Sequence, residues 1–262
     1  MTRTTQHRSD FLDAIQKGVL IGAAFITLVL PPAGAASRMP PVLAKPVVSV
    51  AAQPKPMAVV PAAVTVRPPL ADFGQEAASD EARQVANWAL FSGDNKRMPF
   101  VIVDKSSAKV FVFGPSGELR GAAAALLGLA RGDDTVPGIG DRPLSQVRPE
   151  ERTTPAGRFA SRPGRNASGE DVVWVDYDAA VSMHRVRPVD PKERRLERLA
   201  SNDPAQRRIS YGCINVPVAF FDNVVKPVLG TQRAVVYVLP ETRQVGATFA
   251  SVRAGSPEAR TM

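Results

Sequence analysis

Cys213 is the only cysteine in the 262-residue chain, and it lies within Ser210-Tyr211-Gly212-Cys213-Ile214-Asn215. A thiol becomes a nucleophile when a neighbouring base or cation favours its thiolate, and histidine is the usual partner. The chain holds two histidines. His7 belongs to the N-terminal leader, which leaves His184 for that role. Sequence separation does not bring two side chains together, so the fold must do it. Taken alone, the pair also fits a small buried thiol and an ordinary core histidine. One His and one Cys make a poor zinc site, and no Gly-rich phosphate loop, internal repeat or metal-ligand cluster is evident. No cofactor and no metal are expected.

The neighbouring residues extend the pattern. Met183-His184-Arg185 precedes the Ser-x-Gly-Cys-Ile-Asn block, and Thr153-Thr154-Pro155-Ala156-Gly157-Arg158-Phe159 lies upstream of both. In order and composition these three blocks resemble the L,D-transpeptidase (YkuD-like) catalytic domain of bacterial cell-wall enzymes, over roughly residues 99 to 239. Each block alone would be weak, but together they are specific. Two departures stand out. Tyr211 occupies a place where many members carry a second histidine. The spacer 185–209 is longer than the family's usual one, which suggests an inserted element beside the site.

The resemblance implies acyl transfer on peptidoglycan stem peptides. Cys213 would attack the carbonyl of the third stem residue and expel the terminal D-alanine, and the thioester would pass to an amine of a second stem or to water. His184 would take the thiol proton and return it to the leaving amine. Its second nitrogen needs an acceptor, either Ser210 Oγ or a backbone carbonyl. Gly212 lets the substrate approach the backbone, and the Gly212 and Cys213 amides, with Tyr211, would form an oxyanion hole. The candidate catalytic residues are thus Cys213, His184, Ser210 and Gly212. The candidate substrate-binding residues are Tyr211, Asn215, Arg185 and Arg208; Asn215 would also hold the loop, and Arg185 or Arg208 would bind a stem carboxylate. Thr154 and Pro155 would shape the turn beside the cleft. Two other readings stay open: a hydrolase (L,D-carboxypeptidase or amidase) on the same peptides, and a non-enzymatic wall-binding module with a structural cysteine.

The elements that must position these residues are also legible. Residues 1–36 read as an export signal: Arg3, Arg8 and Lys17 precede the apolar run Gly18–Leu30, and Ala33-Gly34-Ala35 offers a cleavage site. No charge follows Lys17 until Arg38, so an uncleaved membrane anchor through 18–36 also fits. The expected location is the periplasm or cell envelope. Residues 37–75 form a Pro- and Ala-rich linker, with eight prolines between 37 and 72; proline lacks the amide donor and fixes φ, which makes this stretch an extended tether. The net charge is +8. Residues 1–35 hold three basic and two acidic residues, so +7 stays with the exported part. Nucleic acid is the usual partner of such charge. Export excludes it in favour of an anionic wall polymer or membrane surface, or simply a soluble basic face. A monomer is expected. With 44% apolar residues the chain can build a core, and a single cysteine leaves it no internal disulfide.

A helical segment is expected over 76–98, capped by Ser79 or Asp80 and ended by Gly93. The catalytic domain, 99–240, is expected to be mainly β (α+β) and sandwich-like, with a few peripheral helices. Phe100–Val103 and Val110–Phe113 read as a hairpin, and 114–117 as a turn. Leu119–Leu129 is ambiguous: alanine favours helix, the resemblance favours strand. Residues 133–149 form a loop near the cleft. Val172–Tyr177 and Ala180–Met183 are strands, the second delivering His184. Asp190-Pro191-Lys192-Glu193 looks like a helix start, with Leu196 and Leu199 as its apolar edge. The span 185–208 carries eight basic and four acidic residues, and is expected to be a lid or rim outside the core. Residues 217–225 could form a helix, and Ala234–Leu239 closes the sheet. A flexible tail is expected over 241–262.

Overall fold

The structure, a computed structural model, describes residues 70–249. The expected leader and anchor, the tether up to residue 69 and the tail beyond 249 lie outside the described residues.

The domain is mainly β. Eight strands join in the order β3-β2-β1-β10-β5-β6-β7-β9, where β1 is Phe100–Asp104, β2 Lys109–Phe113, β3 Leu119–Ala124, β5 Gly157–Arg165, β6 Asp171–Asp176, β7 Val181–Arg185, β9 Ile214–Val216 and β10 Ala234–Val238. A small parallel pair, β4 (Leu127–Gly128) with β8 (Arg208–Ser210), lies apart from the large sheet. Strand β5 changes partner midway. Gly157–Ser161 pair with β10, and Arg162–Arg165 pair with β6. Pro163 therefore falls in the half of β5 where β10 has been left behind, where a missing amide donor is tolerated. The two halves of the sheet enclose one apolar core: Val101, Val103, Val110 and Val236 from one side meet Val173, Met183, Ile214 and Val216 from the other. Burying each such side chain contributes about 1.5–3 kcal/mol.

The opposite face of β1, β2 and β10 is covered as well. Phe100, Ile102, Phe111, Phe113, Val235 and Tyr237 pack against helix α1, Asp80–Ser92. That is why these strands read as unbroken apolar runs: both faces are buried. Ser79 caps α1 through its side chain, which accepts from the Ala82 amide, and Gly93 ends it in the left-handed region at φ 70°. Among the described residues no helix is long and apolar enough to cross a membrane.

The structure corrects the sequence reading in several places. The tether does not extend to residue 75: Phe73 is buried edge-on against Phe111 and Phe113, and Asp72 bridges to Glu118. The tail does not begin at 241. Glu241 is buried by ion pairs, and the short helix Val245–Thr248 leads to Phe249, which packs against Trp88 and Tyr237. Residues 119–124 are strand, because β2 supplies an antiparallel partner that overrides alanine's helix preference. The helix expected from Pro191 is broken. A 3-10 turn, Pro191–Glu193, stops at Arg194 in the left-handed region, and helix α2, Arg195–Ala200, restarts after it. Only Leu199 of its two leucines is buried, beside Leu126 and Val186; Leu196 is exposed.

Candidate active site

Strands β7 and β9 run parallel, with Met183 opposite Ile214 and His184 opposite Asn215. This register carries His184 to the loop that presents Cys213 just before β9. The apolar residues on either side, Met183 and Ile214, are fully buried and hold both strands in the core. His184 and Cys213 both line a cleft of about 520 Å³, whose walls come from Ile139–Val147, Ala179–Ala180 and Arg187–Arg195.

The imidazole has one nitrogen committed. Nδ1 lies 2.7 Å from the Arg185 carbonyl oxygen and donates to it, so Nε2 is left to take a proton. The backbone carbonyl thus fills the acceptor role, and Ser210 does not. The thiol and imidazole act on each other. Burial pushes the Cys213 thiol up, but the hydrogen bond and charge of His184, helped by Ser182, outweigh it and hold the thiol below its ordinary value. Burial pulls His184 down, but the hydrogen bond and charge of Cys213 outweigh it and hold the imidazole above its ordinary value, against a smaller opposing push from Arg187. The two displacements have the signs of a thiolate–imidazolium pair. Ser182 Oγ lies 3.8 Å from Sγ, and Sγ is 3.6 Å from the Ala180 carbonyl oxygen, on a residue held at φ 54°.

The cysteine loop is fixed by its own hydrogen bonds. Ser210 Oγ donates to the Cys213 carbonyl at 2.7 Å and accepts from the Gly212 amide at 3.1 Å. Ser210 is therefore a loop brace and does not touch His184. The Gly212 amide, expected in an oxyanion hole, is already engaged by that serine. Gly212 is at φ 130°, and a Cβ there would come within 2.7 Å of the Thr153 carbonyl, so no other residue fits without moving the backbone. Thr154, with no exposed surface, donates from Oγ1 to the Gly212 carbonyl at 2.8 Å and accepts from the Gly128 amide at 2.9 Å. Replacing Thr154 by Val keeps the shape and strips both partners; leaving buried groups unpaired should lower stability by about 1–3 kcal/mol, measured by denaturant unfolding.

Of the four expected substrate-binding residues, the cleft receives two. Tyr211 lines it, its ring under the Arg152 guanidinium at 4.0 Å. Asn215 lines it too, buried, with Nδ2 3.2 Å from the Cys213 carbonyl oxygen and 3.4 Å from His184 Nε2. Arg185 and Arg208 point elsewhere. Arg185 pairs with Asp222 and stacks on Phe221. Arg208 is buried in an ion cluster, bonding both oxygens of Glu241 and the Lys105 carbonyl. Both are spent on the fold, because a buried or stacked guanidinium finds its partners within the protein. The cleft's arginines are instead Arg142, Arg187 and Arg195. Two of these belong to the long basic spacer, and Arg142 to the loop 133–149. The spacer supplies the rim of the cleft and is tied down by the buried Leu199. Among the described residues no group of His, Cys, Asp and Glu could hold a metal ion.

The thiol's position gives a direct expectation. In His184→Ala the thiolate loses its cationic partner while burial remains, so the thiol should titrate at higher pH. A depressed thiol is reactive above its own pKa, and raising that pKa removes reactivity at neutral pH. Iodoacetamide alkylation at pH 7 should slow by about tenfold or more, read from rate against pH.

A mainly β domain with a cysteine–histidine pair at the mouth of a cleft is what the fold and site define. Solved structures with similarity to the chain include the helical cell shape determining protein Pgp2 from Campylobacter jejuni, at 14% identity and TM-score 0.36, covering 56% of this chain and 49% of that one. An L,D-transpeptidase from Mycobacterium smegmatis matches at 16% identity and TM-score 0.30, over 53% of this chain and 58% of that one. The catalytic domain of the E. faecium L,D-transpeptidase matches at 17% identity and TM-score 0.30, over 55% of this chain and 98% of that one. The chain spans about half the length of the Pgp2 structure it matches. No protein-family model and no curated protein matches.

Proposed function

We propose that this chain is a cysteine acyltransferase of the L,D-transpeptidase kind, acting on the stem peptides of peptidoglycan at the cell envelope. The observation that carries the reading is the Cys213–His184 pair in an open cleft, each residue displacing the other's proton affinity toward thiolate and imidazolium. The Thr-Pro-x-Gly, His and Ser-x-Gly-Cys-Ile-Asn blocks supply the substrate class through their resemblance.

In this reading Cys213 Sγ attacks a stem-peptide carbonyl carbon, and an S–C bond forms as the C–N bond breaks. The departing nitrogen takes its proton from His184 Nε2. The thioester then passes to an amine of a second stem, or to water, with Nε2 accepting the proton. With Gly212 N engaged by Ser210, the amides of Cys213 and Tyr211 are the candidates to face the oxyanion; one such donor is worth about 3 kcal/mol of barrier.

Incubating the purified protein with tetrapeptide muropeptides tests this. Mass spectrometry should find stems shortened by one residue and an acyl adduct on Cys213. Cross-linked products indicate an amine acceptor, and shortened stems alone indicate water. Intact stems with an unmodified protein would sink the reading.

A further inference from the structure

Three arginines of the basic spacer, Arg194, Arg195 and Arg198, stand close in sequence, but only one of them lines the cleft that holds Cys213 and His184. Arg194 is exposed and pairs with Glu197. Arg198 donates to the Glu193 and Gln206 carbonyls. Arg195 lines the cleft with its side chain 13% exposed. Its Nε donates to Glu193 at 2.5 Å, and its Nη1 donates to Asn215 Oδ1 at 2.7 Å. The break at Arg194, φ 50°, restarts the helix so that Arg195 is its first residue.

We infer that Arg195 is a positioning residue, supplied by the 185–209 spacer, which fixes the Asn215 amide so that only Cys213 can share the Nε2 proton of His184. The argument is one of donor and acceptor counting. An asparagine amide has an acceptor end and a donor end, and its partners decide which faces where. Arg195 has no acceptor, so it claims Oδ1. Nδ2 is thereby turned toward the Cys213 carbonyl, at 3.2 Å, and His184 Nε2, at 3.4 Å. A donor facing Nε2 cannot accept its proton, and with the Cys213 carbonyl the nearer of its two neighbours the Nδ2 donor is engaged there rather than at Nε2. Nδ1 is already bound to the Arg185 carbonyl, so the sulfur is left as the proton's partner. Without Arg195 the amide can turn over. Oδ1 would then accept from Nε2 and draw the imidazolium away from the thiolate. Glu193 holds the guanidinium in place, which costs less entropy than fixing a free arginine.

The inference rests on the cysteine–histidine reading, and its test has a readout that needs no muropeptide. The charged groups that share the cleft with His184 and Cys213 are Arg142, Arg187, Asp190, Glu193 and Arg195, and of these Arg187 acts on the imidazole's charge. Iodoacetamide alkylation rate is measured against pH for the full chain and for Arg195→Met, Arg195→Lys and Asn215→Asp. In Arg195→Met the acid limb should move to higher pH, and alkylation at pH 6 should slow about tenfold. Arg195→Lys should restore most of the rate, because an ammonium can also donate to Oδ1. Asn215→Asp presents an oxygen to Nε2 whatever Arg195 does, so it should reproduce the Met profile, and the double variant should add nothing. On muropeptides, kcat should fall about tenfold to a hundredfold with KM within about threefold. An Arg195→Met profile that superimposes on the wild type overturns the inference, even if melting temperature drops. If that variant fails to fold, the Asn215→Asp profile decides, and its coincidence with wild type has the same force. If the wild type consumes no muropeptide, the substrate reading falls while the thiol profile still reads Arg195.

Discussion

Cys213→Ser should reduce turnover of stem peptides by at least about 10⁴-fold while leaving the fold intact. The effect follows from the chemistry of the pair. His184 can form an ion pair with a thiol because their hydrogen bond and mutual charge lower the thiol's proton affinity and raise the imidazole's, against the opposing pull of burial on both. A serine hydroxyl holds its proton far more tightly, so the same imidazole cannot charge it in the ground state. The substitution should hardly disturb packing. Cys213 is only half-buried, and its sulfur contacts are long ones, to Ser182 Oγ and the Ala180 carbonyl. The loop around it is held by Ser210, Gly212 and Thr154, all of which stay. Steady-state kinetics on muropeptides, with a thermal melt as control, decides the matter. A serine variant with a rate within tenfold of the wild type and an unchanged melt would mean that the thiol is not the nucleophile.

The residue types of the cleft are more legible in the sequence than the elements and hydrogen bonds that position them. The cysteine loop was readable because Ser210, Gly212 and Cys213 are local, and each is chosen for what a backbone turn needs. The parallel register of β7 and β9 was not written there. It follows from both strands sharing one core, which a sequence shows only as apolar residues. Strand β5 is not legible in the sequence because Gly157, Pro163 and Gly164 disguise it, and its change of partner is what makes them tolerable. The arginines are ambiguous for another reason. Arg185, Arg195 and Arg208 look alike in sequence, and only the fold tells that Arg185 and Arg208 pair with Asp222 and Glu241 away from the cleft while Arg195 lines it and reaches Asn215. The charge pattern did mark the spacer as a rim. It could not say that one residue of that rim touches Asn215. The buried Lys105 gave no signal at all, since a lone lysine beside a strand normally reads as solvated.

That lysine should have the largest effect on stability. Lys105 has no exposed surface. Its Nζ donates to the Gly132 carbonyl at 2.5 Å, Asp133 Oδ1 at 2.8 Å and the Thr154 carbonyl at 2.9 Å, with Glu241 at 3.7 Å. Burial pulls its ammonium below the ordinary lysine value, and Asp133 and Glu241 offset that only in part. Asp133 is held well below the usual carboxylate range: burial pushes it up, but Lys105, the Thr242 hydroxyl and the amides of Glu241 and Thr242 outweigh that. Replacing such a charge by an apolar side chain leaves its partners buried and uncompensated, which costs about 3–5 kcal/mol. Lys105→Met should lose that much in denaturant unfolding. The pH dependence gives an independent check. A depressed carboxylate contributes stability above its unfolded pKa and loses it as pH falls through its folded one. Without Lys105 the folded pKa of Asp133 rises, so the contribution shrinks and its loss begins at a higher pH. Melting temperature measured from pH 7 down to pH 3 should therefore fall earlier in the variant. The injury should also reach the site, because Lys105 fixes the Thr154 backbone and Thr154 holds the Gly212 carbonyl. Slower thiol alkylation in folded Lys105→Met at neutral pH would show that route. A variant as stable as the wild type would mean that the cluster relaxes or admits water, and that its buried charge is not what fastens Asp133 to the C-terminal segment.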